Sequence, residues 1–246
     1  MEDISIIEYE AIINFWNTII NIMALSYPIE KYTHEFITNK IFKNQTIESV
    51  FNLLYRPEQS QFIQNIFTQR KDTDIKFTLQ TLSFPTPPLS KNTYPKVTKY
   101  SYSLVHPVEK KVLFGPSKLN IDDEYNIIFE SEHKLLCEVT TKLSGFMLMD
   151  TFISRTLYIY EAVDGNVSLC VKYDIEFVKA NPFKAIVEKN GYEENEDIIK
   201  RIILAEMEKI LIAPSPSTPE QKNEQEVKEE EEDKTEVDYC LYYYTF

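Results

Sequence analysis

The sequence predicts an α+β fold, with a curved antiparallel sheet laid against a long C-terminal helix. In residues 168–177, Leu169, Val171, Tyr173, Ile175 and Phe177 alternate with Cys170, Lys172, Asp174 and Glu176, the pattern of a strand buried on one face. Directly after it, residues 183–211 carry apolar side chains at i, i+3, i+4 spacing. Strand patterns fill the middle of the chain and helical patterns lie on either side, so helix and sheet are segregated rather than alternating.

Taken in order, residues 3–26 have the pattern of a helix. Ile12, Ile13, Phe15, Trp16, Ile19, Ile20, Ile22 and Met23 make a wide apolar face opposite Asn14, Asn17, Thr18 and Asn21, and Pro28 closes it. Helices that lie on membranes usually carry cations on the polar face, and none occurs here before Lys31, so packing on the domain or on a second copy is expected ahead of a membrane or another partner. Residues 35–42 read as a strand. Thr46 opens a short helix with Val50, Phe51, Leu53 and Leu54, stopped by Arg56 and Pro57. Residues 58–69 form a second helix with Phe62, Ile63, Ile66 and Phe67 on one face.

From Ile75 the period becomes two. Ile75, Phe77 and Leu79 alternate, Pro85, Pro87 and Pro88 mark a loop, and residues 96–105 put Tyr100, Tyr102 and Leu104 on one face. Gly115 and Pro116 make a turn. Residues 125–132 and 135–143 form a hairpin about His133 and Lys134, and residues 144–150, SGFMLMD, form a loop rich in large apolar side chains. A strand at 151–162 is joined to the next by Asp164-Gly165, a hairpin signal. Asn181 and Pro182 are expected to cap and start the last helix. A polar break is expected at Asn190 and Gly191, before Ile198, Ile199, Ile202, Ile203, Met207, Ile210 and Leu211.

The expected organisation is an N-terminal helical extension (1–34), a folded domain (35–213) and an acidic disordered tail with an aromatic end (214–246). Net charge is −13; residues 220–238 hold ten acids and three bases and so carry much of it. This balance argues against nucleic acid as a partner, because phosphate binding needs a cationic surface. The three cysteines, Cys137, Cys170 and Cys240, have no metal spacing and are read as reduced thiols of a cytoplasmic protein. No apolar run approaches the length of a membrane span. The three histidines stand apart from other ligands, the four glycines form no phosphate loop, and Asp122, Asp123 and Glu124 read as a solvated run. No enzymatic activity, metal or cofactor is expected.

Several strings in this order resemble the VASt domain, the START-like lipid-transfer domain of fungal LAM and of plant and animal GRAM-containing sterol transporters. They are residues 44–55 (NQTIESVFNLLY), 61–74, 101–104, 115–118, 150–159 and 175–189 (IEFVKANPFKAIVEK), where Lys184, Glu188 and Lys189 fall on matching positions. The resemblance implies a START-like helix-grip fold, with a lipid-sized cavity between the sheet and the long C-terminal helix. It also implies binding of a sterol or other lipid and its transfer between membranes, by a cytoplasmic protein peripheral to them.

By parity, the expected lipid-binding wall is Tyr100, Tyr102, Leu104, Leu157, Ile159, Tyr173 and Ile175 on the sheet, and Ile186, Ile198, Ile202 and Ile203 on the helix. The same residues also suit a filled core, in which case the domain is a non-catalytic module holding a protein partner through the N-terminal helix or the C-terminal tail. Phe146, Met147, Leu148 and Met149 are expected to gate the cavity or contact a membrane. Lys110, Lys111, Lys118, Lys179, Lys184 and Lys189 are expected to meet the membrane surface.

Overall fold

The computed structural model describes residues 28–57, 60–86, 92–108 and 116–212. The expectations for residues 3–26, the tail, Lys110, Lys111 and the Gly115 turn lie outside these. The fold is the expected α+β helix-grip arrangement. Seven antiparallel strands run in the order β1-β7-β6-β5-β4-β3-β2. They are β1 (His34–Phe42), β2 (Thr73–Thr81), β3 (Lys96–Pro107), β4 (Lys118–Ser131), β5 (Lys134–Ser144), β6 (Phe152–Val163) and β7 (Asn166–Phe177). From β2 to β7 each strand pairs with the next in sequence, and β1 adds to the far side of β7.

Four helical pieces cover the concave face. α1 (Ile47–Val50) is capped by Thr46, whose side chain accepts from the Ser49 N–H while Ser49 accepts from the Thr46 N–H. It runs on into a wider π turn, Phe51–Tyr55. α2 (Gln61–Arg70) follows. The C-terminal helix is continuous: α3 (Lys184–Ile198), a π turn (Ile199–Ile203) and α4 (Leu204–Ile212). It starts later than expected, because Asn181 Oδ1 accepts the Phe183 N–H at 2.8 Å and forms a turn ahead of the helix. The expected break at Gly191 does not occur. The helix passes through, and a Cβ there would lie 2.6 Å from Ile175 Cδ1, so the missing side chain lets the helix approach β7.

One half of the concave face is filled. Phe51 packs edge-on to Phe129, with centroids 5.0 Å apart, and Phe67 does the same to Tyr102. The Tyr55 and Tyr160 hydroxyls meet at 2.6 Å, and the Tyr160 hydroxyl also lies 3.7 Å from Met207 Sδ. Tyr100 donates to the Tyr55 carbonyl at 3.1 Å. All four tyrosine hydroxyl and carbonyl groups are thus satisfied away from water. A smaller cluster on the convex face joins Tyr32, Ile128, Leu136 and Leu157, with Ile29, Val97 and Ile159 packed against it.

Tyr160→Phe removes the hydroxyl that meets the buried Tyr55 hydroxyl and is expected to cost about 1–3 kcal/mol of stability, read by chemical denaturation. The double variant Tyr55→Phe/Tyr160→Phe should recover part of that loss.

Candidate functional site

Strand register decides which side chains share the concave face. Tyr100 opposes Tyr125, which opposes Val139, then Thr156, then Tyr173. The adjacent row is Tyr102, Asp123, Thr141, Ser154 and Ile175. The row after it holds Leu104, Ile121 and Leu143, with Phe152 paired to Phe177. Tyr100, Tyr102, Leu104, Tyr173 and Ile175 therefore lie on the concave face, where all five are buried. Burial pushes the Tyr102 phenol up to about 12 and raises Tyr100 and Tyr125 as well.

Leu157 and Ile159 face the other way, a correction to the parity reading. In β6 the concave residues are Ser154, Thr156, Tyr158 and Tyr160, while Leu157 joins the convex cluster with Ile159 packed against it. This strand is buried on both faces, so its apolar pattern did not tell the two apart. Ile159 also lines a groove of about 420 Å³ on the convex side, beside Ile41, Val163, Glu161, Ser168 and Cys170.

The helix residues divide too. Ile202 is buried and Ile203 packs against the core at partial exposure, but Ile198 is only half-buried and its neighbour Ile199 takes the core position. A π turn begins there and shifts the stripe away from an ideal α-helical period. Ile186 is 58% exposed, because α3 buries none of its residues. The C-terminal part of α3 is held down by Asn195 Nδ2, which donates to Tyr173 OH at 2.8 Å, and by Tyr192, stacked on His34 at 3.5 Å. Toward the start of α3 the concave face stays partly open: Val139, Thr141, Leu143, Phe152, Ser154, Thr156 and Phe177 are all half-buried. These residues form partly exposed rows of the concave face, and the outer row, Leu143, Phe152 and Phe177, is apolar. Sequence reasoning missed most of them, since each depends on a cross-strand partner.

The loops at this end are pinned together. Val178 N–H donates to Thr151 O at 2.9 Å, Asn181 Nδ2 donates to Thr151 Oγ1 at 2.7 Å, and Lys179 pairs with Asp150. Around this junction Phe146, Met147, Val178, Phe183 and Ile186 are exposed, Met147 at 74%, while Leu148 and Met149 are half-buried. Lys118, Lys179, Lys184 and Lys189 are exposed, and β4 starts at this end because Asn120 pairs with Ser144. A further apolar strip, Ile75, Phe77 and Leu79, is exposed on the edge strand β2, with Phe77 against Tyr100 and Tyr102.

Asp123 puts a carboxyl on the concave face, in the row of the Thr141 and Ser154 hydroxyls. It is buried and accepts from Thr141 Oγ1 at 2.6 Å. Desolvation raises its carboxyl above the usual aspartate range, opposed by the Arg70 charge and the Thr141 hydrogen bond. Among the described residues, no group of three or more His, Cys, Asp or Glu is placed to hold a metal, and no helix is long and apolar enough to cross a membrane.

A family model described as the VAD1 Analog of StAR-related lipid transfer domain, VASt, matches residues 37–194, more than half of the chain. No curated protein matches it.

Because the folded carboxyl of Asp123 titrates higher than in the unfolded chain, its contribution to stability is full below the ordinary value of 3.8 and is lost as pH rises through the folded value. Asp123→Asn should therefore flatten the fall in unfolding free energy as pH rises above the ordinary value of 3.8, as measured by denaturant titration at each pH.

Proposed function

This chain belongs to the VASt family of StAR-related lipid-transfer domains, and from that premise we propose that it takes a lipid, sterol first among the candidates, onto the partly exposed concave face beneath α3 and carries it between membranes. The observation that carries this reading is a coincidence of place. The half-open part of the concave face lies at the same end as the exposed apolar loops and their lysines.

Exposed apolar surface costs roughly 25 cal/mol per Å² in water. A lipid therefore crosses the aqueous phase only when its hydrocarbon is covered, and the apolar outer row, Leu143, Phe152 and Phe177, with α3 above it, offers such cover. Phe146, Met147, Phe183 and Ile186 enter the membrane interface during loading, and Lys118, Lys179, Lys184 and Lys189 face anionic headgroups. Two of these lysines also have acidic neighbours, since Lys179 pairs with Asp150 and Lys184 lies 3.7 Å from Glu188, which limits their pull. Uptake then requires the start of α3 to lift, and none of that helix's residues is buried. The protein works in the cytoplasm, peripheral to membranes. Its role is binding and carriage without covalent chemistry.

One observation favours a second reading. Tyr55, Tyr160, Phe51, Phe129 and Phe42 already fill the deep half of the grip, as they would in an interaction module with a solid core. Native mass spectrometry with lipid extraction separates the two. A stoichiometric bound lipid, or uptake of labelled sterol, is expected; a chain that stays empty and refuses both sterol and phospholipid would leave the interaction module standing.

The combined change Phe146→Asp/Met147→Asp should weaken binding to phosphatidylserine-containing vesicles by about tenfold or more. The melting temperature should hardly move, because both side chains are exposed. Unchanged vesicle binding in a sedimentation assay would remove this loop from the docking surface.

A further inference from the structure

The sheet has two edge strands, and they are finished differently. On β1, Lys40 reaches Glu208 of α4, and a charge held in this way blunts an edge against further pairing. At the opposite edge, β2 pairs with β3 on one side, and among the described residues no strand pairs with its outer side. All nine residues of β2 are exposed, Ile75, Phe77 and Leu79 among them. The strand contains no proline, so its outward backbone groups are complete, and its charges are limited to Asp74 and Lys76. An exposed apolar edge of this kind is a template for another strand.

The residues of β2, TDIKFTLQT, have the same character read from either end about Phe77. When two copies pair antiparallel with that residue at the centre, Phe77 meets its own copy, Ile75 meets Leu79 and Thr73 meets Thr81. Lys76 meets Thr78 and Asp74 meets Gln80, so no like charges stand directly opposite. Apolar side chains then share one face and polar side chains the other, the condition for a defined register. A centre at Lys76 sets two lysines directly against each other, which is unfavourable. A centre at Thr78 sets Ile75 against Thr81. The backbone permits a centre on a residue in either phase. Outward Phe77 groups bond to their own copies, whereas outward Lys76 and Thr78 groups bond across the axis. Irregular pairing with β3 between Thr73 and Lys76, and again between Leu79 and Thr81, confines the regular stretch to the middle of β2, where Phe77 lies. There the new contact extends an existing aromatic surface, since the Phe77 ring is 5.8 Å from Tyr100 and 5.2 Å from Tyr102.

We propose that the outer edge of β2 pairs with β2 of a second copy of this chain, antiparallel about a two-fold axis at Phe77. The pairing joins two seven-stranded sheets into one and covers Ile75, Phe77 and Leu79. Because the axis stands perpendicular to the sheet, both concave faces open to the same side. A contact that uses the same patch on both copies closes on itself, so association stops at the dimer. The contact is built on a single strand, which places it among small, reversible interfaces. The dimer does not depend on whether either concave face holds a lipid.

The test is sedimentation velocity on the full chain at concentrations from about 5 to 500 μM. Wild type is expected to pass from 29.0 kDa to twice that mass as concentration rises. Thr78→Lys sets lysines opposite each other at both symmetry-related positions and should weaken the dimer about three- to tenfold. Lys76→Glu/Thr78→Lys turns the same pairs into opposite charges and should restore it. Thr78 is exposed, so circular dichroism should report an unchanged fold in both variants. Hydrogen exchange of the β2 amides should slow with concentration, in step with the dimer. A monomer throughout the range, a dimer indifferent to both variants, or assemblies that grow beyond two copies would overturn the pairing. Slow β2 exchange already at the lowest concentration would place a segment of the same chain on this edge and would overturn it as well.

Discussion

The 2.6 Å contact between the Tyr55 and Tyr160 hydroxyls ties the helical layer to the middle of the sheet, and much of the architecture depends on it. Tyr55 ends the first helical segment and Tyr160 points inward from β6, so the pair fixes where the helices sit on the concave face. Met207 closes over the same point from the C-terminal helix. A polar contact in this position sets register more sharply than apolar packing alone, since any slip would leave a buried hydroxyl without a partner. With the helices pinned over one half of the sheet, the cover of the other half among the described residues is the start of α3.

That uneven coverage divides the molecule into a solid part and an accessible part. In the solid part aromatic rings interlock, and Glu206 on α4 accepts from Asn65 and Gln69 on α2 at 2.7 and 2.8 Å, binding two helices together. In the accessible part the side chains are half-buried, the helix buries nothing, and the two loops beside it are joined by a few hydrogen bonds through Thr151. Segments with few buried apolar contacts open at low free-energy cost. The fold thus places a helix segment with no buried residue over the half-buried part of the concave face, beside the exposed Phe146, Met147, Phe183 and Ile186.

The order of elements was legible in the sequence because strands buried on one face keep a strict period of two and the terminal helix a clear apolar stripe. The turn at Asp164-Gly165 needs positive φ at both residues, and both have it, at 49° and 75°. Other features were legible only in part. Residues 181–183 have the composition of a helix start but form a turn, because the Asn181 side chain bonds to the backbone two residues on. Gly191 looks like a breaker and instead marks a close approach, which only the position of Ile175 explains. On β6 apolar residues occupy both parities, and the choice of face rests on Tyr32 and Ile29, far earlier in the chain.

The sequence by itself determined the fold class, the order of elements along the chain and the presence of an apolar loop beside basic residues, because each is written in local periodicity, turn chemistry or composition. Tertiary structure decided which side chains meet. Asp123 reads in sequence as one of a run of solvated carboxylates, and only pairing with β5 turns it inward beside Thr141 while Asp122 and Glu124 point to the other face. Leu157, a plausible wall residue in sequence, goes to the convex side for the same reason. The direction of a side chain in a sheet alternates with every residue, so its face is fixed by register with partners distant in the chain, and that information is absent from any local stretch.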